Sequence, residues 1–301
     1  MLICSPHLDQ TLDSGRILLS CEDQPGIVAA VANFLTDCKM NISSLDQHSE
    51  PQPGKLFMRV AFSCADSSSD KDVSGMQSQT FCDDFQNKVA NPFGMAWTIS
   101  DAKRVKKVSI FVSRHDHVLL ELLWRWSNKT LPMQVDQVIS NHQDLAGMAE
   151  HWGVPFVHIP NTAATKAQAE QRILAMLDAN VDLIVLARYM QVLSADFVER
   201  FKNKIINIHH SFLPAFRGAD PYQQAYDLGV KIVGATAHYV TDTLDVGPII
   251  DQDVVPISHR DQVVDLREKG KSIERNVLAR AVRWHLEDRI LVEAGKTIIF
   301  D

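Results

Sequence analysis

The sequence lacks the features of secreted, membrane-spanning and disulfide-stabilised proteins. No apolar run approaches the roughly 20 residues that span a bilayer, and the first ten residues, MLICSPHLDQ, lack the basic and apolar regions of a signal peptide. There is no Cys-x-x-Cys pair, and the number of cysteines is odd, so neither a disulfide framework nor a thiolate zinc site is predicted. The cysteines are Cys4, Cys21, Cys38, Cys64 and Cys82. We therefore expect a cytoplasmic protein with reduced thiols.

The sequence also lacks an excess of basic charge. The 30 Lys and Arg residues are outnumbered by 37 Asp and Glu residues, and the net charge of -7 disfavours a nucleic-acid or anionic-membrane partner. Hydrophobic residues make up 46% of the 301 residues, which is ordinary for a globular protein. A chain of this length can form two cores, and we predict domains over residues 1–103 and 104–301.

The first domain shows a short alternation of strands and helices. The predicted elements are a strand over 16–21, a helix from Ile27, strands over 41–49 and 55–64, a helix that breaks at Asn91–Pro92, and a strand over 95–100. The polar stretch 65–75 is predicted to be a loop. This βαββαβ order is typical of the ferredoxin-like split unit.

A charged linker over 101–107 precedes a different pattern. Short apolar strands are predicted over 108–113, 135–140, 156–159, 183–187 and 205–208, and helices between them include 118–127 and 166–180. Longer strands over 232–240 and 248–255, a helix over 261–287 and an edge strand over 297–300 follow. Such alternation predicts a mainly parallel α/β sheet of Rossmann-like type, with ligands bound beyond the carboxyl ends of its strands.

Two polar clusters stand at predicted strand ends. Asn207 and His209 are two residues apart, so on a strand both side chains project from one face. His238 and the loop residues Asp242 and Asp245 follow about thirty positions later. An amide, an imidazole and a carboxylate together can polarise a carbonyl, stabilise an oxyanion and transfer a proton.

Each of these residues also has a structural interpretation. An Asn-x-His pair can support a strand end, His238 can be a core histidine, and Asp242 and Asp245 can cap a turn. The residues alone leave both interpretations open.

A resemblance bears on this choice. Asn207-Ile208-His209, Ser211 and Leu213-Pro214, followed by His238 and Asp245-x-Gly247-Pro248, resemble the signature of the 10-formyltetrahydrofolate-dependent formyltransferase family over residues 108–300. The phrases HHSFLPAFRGADPYQQAY and GVKIVGATAHYVTDTLDVGPIIDQDV resemble hydrolytic members of that family. Residues 18–35 resemble an ACT domain, which such members carry at the N-terminus.

The resemblance implies a role for each residue. Asn207 would bind the formyl oxygen and His209 would stabilise the oxyanion. Asp245 would orient water and relay its proton, with His238 supporting Asp245 from behind. The residues implied in substrate binding, through contacts with the pterin ring, are Arg188, Tyr189, Met190, Gln191, Leu193, Thr241 and Asp242. The alternative for Tyr189 and Met190 is ordinary loop packing.

The loop after the first strand of the second domain favours hydrolysis over transfer. The transferases that resemble this domain and act on a phosphorylated amine carry a Gly-rich loop at this position. Glycine is needed there because backbone N–H groups must approach the phosphate closely. Residues 112–117 contain no glycine, and Asp116 would repel phosphate. His115-Asp116-His117 is predicted instead to be a polar helix cap with Asp116 near the N-cap. A metal site at these histidines is disfavoured, because no third ligand has a supporting spacing.

The resemblance therefore implies hydrolysis of 10-formyltetrahydrofolate to formate and tetrahydrofolate, with no cofactor. Formate would supply purine synthesis, and the reaction would balance the one-carbon folate pool. Two alternatives are formyl transfer to an amine such as a nucleotide sugar, and a catalytically inactive folate- or amino-acid-binding regulator. The ACT resemblance implies an amino-acid effector at Asp23, Gln24, Pro25 and Gly26 or, alternatively, oligomerisation alone, and we expect a dimer or tetramer.

Overall fold

The computed structural model describes residues 14–52, 54–64, 79–162, 164–177, 181–216 and 220–301. Cys4, the first ten residues and the loop predicted over 65–75 lie outside these residues. The chain forms two compact units. The first comprises Met1–Val105, Glu287–Leu291 and Ile298–Asp301, and the second comprises Lys106–Leu286 and Val292–Thr297.

The first unit contains a four-stranded antiparallel sheet. Its strands are β1 (Gly15–Glu22), β2 (Met40–Glu50), β3 (Lys55–Cys64) and β4 (Ala96–Asp101). They lie in the order β2-β3-β1-β4, and each neighbouring pair is antiparallel. Helix α1 (Ile27–Asp37) buries Val31, Phe34 and Leu35 against this sheet's core, because these residues recur at helical spacing. The described elements follow the predicted order.

The second helix of this unit does not break at Asn91–Pro92, so that prediction is wrong. Helix α2 runs over Gln79–Phe85, widens into a π-helical turn over Gln86–Ala90 and continues over Asn91–Phe93. Pro92 lies in the last turn of this continuous helix, so its missing N–H affects the ladder of helical hydrogen bonds only near its end. The helix ends at Gly94, whose φ of 60° is the left-handed conformation common after a helix.

The second unit contains a seven-stranded sheet and six helices among its described residues. The strands are β5 (Lys106–Val112), β6 (Met133–Ser140), β7 (Phe156–His158), β8 (Leu183–Ala187), β9 (Ile205–His209), β10 (Ile232–Tyr239) and β11 (Ile249–Pro256). The helices are α3 (His117–Ser127), α4 (Ala146–His151), α5 (Lys166–Met176), α6 (Ala195–Arg200), α7 (Pro221–Asp227) and α8 (Val263–Leu286).

This sheet is mainly parallel, as the alternating pattern predicts. The strand order is β11-β10-β9-β8-β5-β6-β7, with parallel pairing from β9 through β7 and antiparallel pairing of β10 with its two neighbours. All five residues of β8 are buried, which explains why this strand is a continuous apolar run. The carboxyl ends of β8 and β9 therefore open at the same edge of the sheet.

The linker and the last strand differ from the predictions. The linker is shorter than residues 101–107, because β4 ends at Asp101 and β5 begins at Lys106. The predicted edge strand near the end of the chain does not join the seven-stranded sheet. Instead, β12 (Ile290–Glu293) and β13 (Lys296–Ile299) pair with each other, since Gly295 at a φ of 78° allows a tight turn between them. Among the described residues, no helix is both long and apolar enough to cross a bilayer.

Candidate active site

A cavity of about 380 Å³ opens at the carboxyl ends of β8 and β9, a volume within the range of small-molecule sites. Every residue that the sequence predicts for catalysis and substrate binding lines this cavity. They are Asn207, His209, Asp245, His238, Arg188, Tyr189, Met190, Gln191, Leu193, Thr241 and Asp242. The fold thus brings together three chain segments. They are the residues after β8, the end of β9, and the end of β10 with the loop that follows it.

Asn207 is oriented by His238. The two residues are direct cross-strand partners on β9 and β10, so their side chains meet, with Asn207 Nδ2 3.2 Å from His238 Nε2. Burial lowers the pKa of His238, despite its hydrogen bond to the Tyr239 carbonyl and the charge of Asp245. The neutral ring donates from Nδ1 to that carbonyl at 2.9 Å, so Nε2 accepts from the Asn207 amide. The second N–H of Asn207 then stays available to a ligand.

The predicted support of Asp245 by His238 stays a prediction. The Nε2 atom of His238 lies 3.8 Å from Asp245 Oδ1, which is longer than a hydrogen bond, whereas its hydrogen bond goes to Asn207. The cross-strand pairing causes this preference, because Asp245 lies on the loop and not on the neighbouring strand.

His209 and Asp245 form the other half of the site. His209 Nδ1 lies 3.4 Å from Asp245 Oδ1, and His209 Nε2 lies 3.4 Å from the Phe216 carbonyl oxygen. Burial alone would raise the pKa of Asp245, but the hydrogen bond with His209 and the charge of His209 lower it below its ordinary value. Asp245 is therefore ionised at neutral pH and can accept a proton.

The loops at this cavity hold unusual backbone conformations. Arg188, Met190 and Asp245 have φ values of 62°, 58° and 55°, in the left-handed region that non-glycine residues rarely adopt. The hydroxyl of Ser113 donates to the carbonyl of Tyr189, which anchors the first of these loops. Such strain is concentrated at functional sites, where the surrounding structure must maintain it.

The loop after β10 returns closely against its own strand. The backbone N–H of Tyr239 donates to the Pro248 carbonyl at 2.9 Å. At Gly247 an added methyl group would overlap the Tyr239 carbonyl oxygen, so only glycine fits. Gly247 thereby fixes the return path of the loop that carries Asp245.

A buried carboxylate lies behind the cavity. Glu274 on α8 is only 1% exposed, and it accepts hydrogen bonds at 2.8 Å from both the Tyr222 hydroxyl and His117 Nε2. Its Oε2 also lies 3.6 Å from Arg188 Nη1. Burial alone would raise the pKa of Glu274, but His117, Arg188 and Tyr222 lower it to about 2. The carboxylate is therefore ionised and holds three other side chains in place.

The contact with Glu274 corrects one prediction. Asp116 does precede α3, but its side chain makes no capping hydrogen bond. His117 is buried and points toward α8 instead of forming a polar cap. The helix start turns His117 inward because α3 packs against α8. In the part of the chain that the structure describes, no group of His, Cys, Asp or Glu side chains forms a metal site.

Sequence reasoning missed two residues of this region. His210 lines the cavity, with its ring 5.4 Å from that of His209 and 5.6 Å from that of Tyr222. Burial, with the positive charge of Arg188, lowers its pKa to about 3, so His210 is neutral. Glu274 could have been found from helical spacing, since it lies within the buried stripe of α8 that includes Ile273 and Val277.

The predicted effector residues lie in the first unit. Asp23, Gln24, Pro25 and Gly26 connect β1 to α1, and all four are exposed. Gly26 has a φ of 98°, which a residue with a side chain would not readily adopt. These four consecutive residues form one turn. Their role in binding an effector stays a prediction.

The fold and the cavity define an α/β protein suited to acyl-group chemistry, and residues 106–282 match the family model described as "Formyl transferase". The chain belongs to the formyl transferase family, and within it to the formyltetrahydrofolate deformylases. It is 50% identical to formyltetrahydrofolate deformylase of Mycobacterium tuberculosis over 289 residues, covering 96% of this chain and 91% of the relative. The Bacillus subtilis relative of that name is 47% identical over 297 residues, covering 98% and 96%. A crystal structure of a Pseudomonas syringae formyltetrahydrofolate deformylase superposes with a TM-score of 0.90 at 41% identity, covering 98% and 96%.

Proposed function

We propose that this chain hydrolyses 10-formyltetrahydrofolate to formate and tetrahydrofolate. The observation that carries the proposal is the convergence of Asn207, His209 and Asp245 on one cavity. An N–H donor, an imidazole and an ionised carboxylate are the groups that water attack on a formyl carbon needs. The identity with the named deformylases over nearly the whole chain supports the same reaction.

The chemistry follows from these three groups. The available N–H of Asn207 polarises the formyl oxygen while Asp245 orients a water molecule and takes its proton. The water oxygen bonds to the formyl carbon, and His209 stabilises the oxyanion of the tetrahedral intermediate. The carbon–nitrogen bond then breaks, the proton passes to the leaving nitrogen, and formic acid ionises to formate. Water is the sole co-substrate, so the proposed reaction needs no cofactor.

The cavity rim matches a flat, partly apolar ring. Met190, Val192 and Leu244 line it and are each more than half exposed, and an exposed group of apolar side chains can mark a ligand-binding groove. Backbone groups of the two loops can form hydrogen bonds with the polar edge of a pterin. We propose that the residues after β8 and those from Thr241 to Asp245 bind this ring.

A single assay tests the activity. Pure protein is incubated with 10-formyltetrahydrofolate and no amine, and formate is measured with a coupled dehydrogenase. We expect stoichiometric formate and tetrahydrofolate. Formyl loss that requires an added amine would instead establish a transferase, and folate binding without turnover would establish a non-catalytic binding protein.

For the first unit we propose an ACT domain that binds a small amino acid at Asp23 to Gly26 and associates with another copy of this chain. The support is the βαββαβ order, the strand order β2-β3-β1-β4 and the exposed turn between β1 and α1. Calorimetric titration with the common amino acids tests the effector, and sedimentation tests the dimer or tetramer. If no amino acid gives heat or alters the rate, the effector role is excluded.

We further propose that the formate product supplies purine synthesis and that the reaction balances the one-carbon folate pool in the cytoplasm. Formate is a one-carbon unit that can be activated again, so its release separates the carbon from the folate carrier. Deletion of the gene should then cause a purine requirement that added formate relieves.

A further inference from the structure

We propose that Arg188 forms a carboxylate subsite that receives the formate product. The inference rests on the proposed function, since it names where the product of that reaction is held. The proposal gives the side chain of Arg188 a role in binding. This role differs from the contacts that the backbone of Arg188 is proposed to make with the pterin ring.

The guanidinium of Arg188 is buried but not fully hydrogen-bonded. The residue is 8% exposed and lies where the chain leaves β8 and enters the cavity wall. Its Nε and Nη1 are inaccessible and have no hydrogen-bond partner. The nearest acidic oxygen, Oε2 of Glu274, is 3.6 Å from Nη1, which is beyond hydrogen-bond length. Burying such donors without a partner is costly, so the guanidinium keeps unused hydrogen-bonding capacity at the cavity wall.

The charges around the cavity favour Arg188 as the group that holds an anion, since the imidazole of His209 is paired with Asp245. Asp242 and Asp245 both line the cavity, and each would repel a newly formed carboxylate. Among the described lining residues, Arg188 is the single Arg or Lys. Burial lowers the pKa values of His210 and His238, so these two rings are neutral and supply no compensating charge.

The shape of the guanidinium selects the ligand class. Its parallel N–H groups match the two oxygens of a carboxylate, which a lysine ammonium cannot do. The product tetrahydrofolate also carries carboxylates on its glutamyl tail, so formate and the tail are the two possible sources. A one-carbon carboxylate fits a buried wall position, and we assign the subsite to formate.

The test measures binding without turnover. Carbon-13-labelled sodium formate is titrated into wild type, Arg188→Gln and Arg188→Lys at constant ionic strength, and the line width of the formate resonance is followed. Arg172→Gln removes an exposed charge on α5 and serves as the matched control. Tetrahydrofolate affinity is measured in parallel by calorimetry. A double variant, Arg188→Gln with Glu274→Gln, removes both charges together in case the single variant does not fold.

We expect saturable formate binding in wild type and in Arg172→Gln. Binding should weaken at least about tenfold in Arg188→Gln and in the double variant, the loss typical of charge-assisted hydrogen bonds. Arg188→Lys should retain part of the binding, and tetrahydrofolate affinity should stay unchanged. Absence of saturable binding in wild type, or equal binding in Arg188→Gln, overturns the proposal. Loss of tetrahydrofolate affinity with formate binding intact assigns Arg188 to the tail instead. Because no substrate is turned over, the result is independent of whether hydrolysis occurs.

Discussion

The substitution Glu274→Gln tests whether an ionised buried carboxylate stabilises the second unit. The pKa of Glu274 lies at about 2, compared with an ordinary value of 4.5. Since one pKa unit corresponds to about 1.4 kcal/mol, the ionised form contributes about 3 kcal/mol at neutral pH. Glutamine keeps the shape of the side chain but lacks its charge. The expected decrease in the free energy of unfolding agrees with the cost of breaking a buried ion pair, which is typically about 3–5 kcal/mol.

The pH dependence of this loss has a definite sign. Because the folded pKa is depressed, the contribution is fully present above about pH 4.5 and is lost as pH falls through about 2. At pH 3 about 1 kcal/mol should remain, since the unfolded carboxyl is then protonated while most folded molecules keep the charge. The stability difference between wild type and Glu274→Gln should therefore shrink on acidification.

Thermal unfolding of both proteins at pH 7 and pH 3, followed by circular dichroism, measures this difference. At pH 7 we expect a midpoint about 6–12 °C lower for Glu274→Gln. Glu199→Gln is the control, since Glu199 is 76% exposed and pairs with Lys202 at 3.7 Å, a contact worth about 0–1 kcal/mol. A midpoint equal to wild type, or a loss of the same size at both pH values, would refute the electrostatic explanation.

Three further predictions concern the cavity. Asp245→Asn should lower kcat by about 10²–10⁴-fold, because it removes the proposed base, and KM should change little. Steady-state kinetics measures both values, with the exposed Asp227→Asn as the control. Gly247→Ala should reduce kcat/KM at least about tenfold by displacing the loop, because the added methyl group overlaps the Tyr239 carbonyl. A normal rate would show that the loop can move without loss of activity. Activity should persist after prolonged dialysis against a chelator, since the proposed steps use only protein groups and water; a loss restored by one added metal would contradict this.

Much of the fold could be predicted, because periodicity reports local burial. The strand at Leu183–Ala187 is an uninterrupted apolar run, and it is buried along its whole length. The helical stripe of α1 was recognisable for the same reason. The π-helical turn in α2 was not, since its register depends on packing and not on a residue pattern.

The catalytic trio could be proposed from sequence, whereas its supporting contacts could not. Asn207 and His209 are two residues apart, and that spacing alone places them on one face of a strand. The partner of Asn207 is His238, which depends on the register between β9 and β10. Register is set by the whole sheet, so the hydrogen bond between Asn207 and His238 could not be predicted from the sequence.

Contacts over long sequence separations were equally hidden. Within the first unit, Asp288 accepts a hydrogen bond from Ser100 at 2.8 Å and pairs with Arg16 at 3.3 Å. Arg16 and Ser100 are cross-strand partners on β1 and β4, so both side chains reach the same point on the sheet. Nothing in the local pattern around Asp288 indicates that the chain returns to this sheet near its end.

Two carboxylates of this protein show why composition cannot separate catalysis from support. Asp245 and Glu274 are both ionised, both largely buried and both next to histidines. Asp245 lines the cavity from a loop in left-handed conformation, so it can reach a bound molecule. Glu274 lies on a helix behind the cavity, with each of its oxygens taken by a hydrogen bond. Access to the cavity, which only the fold determines, therefore decides which carboxylate can act as a base and which can only hold other groups in position.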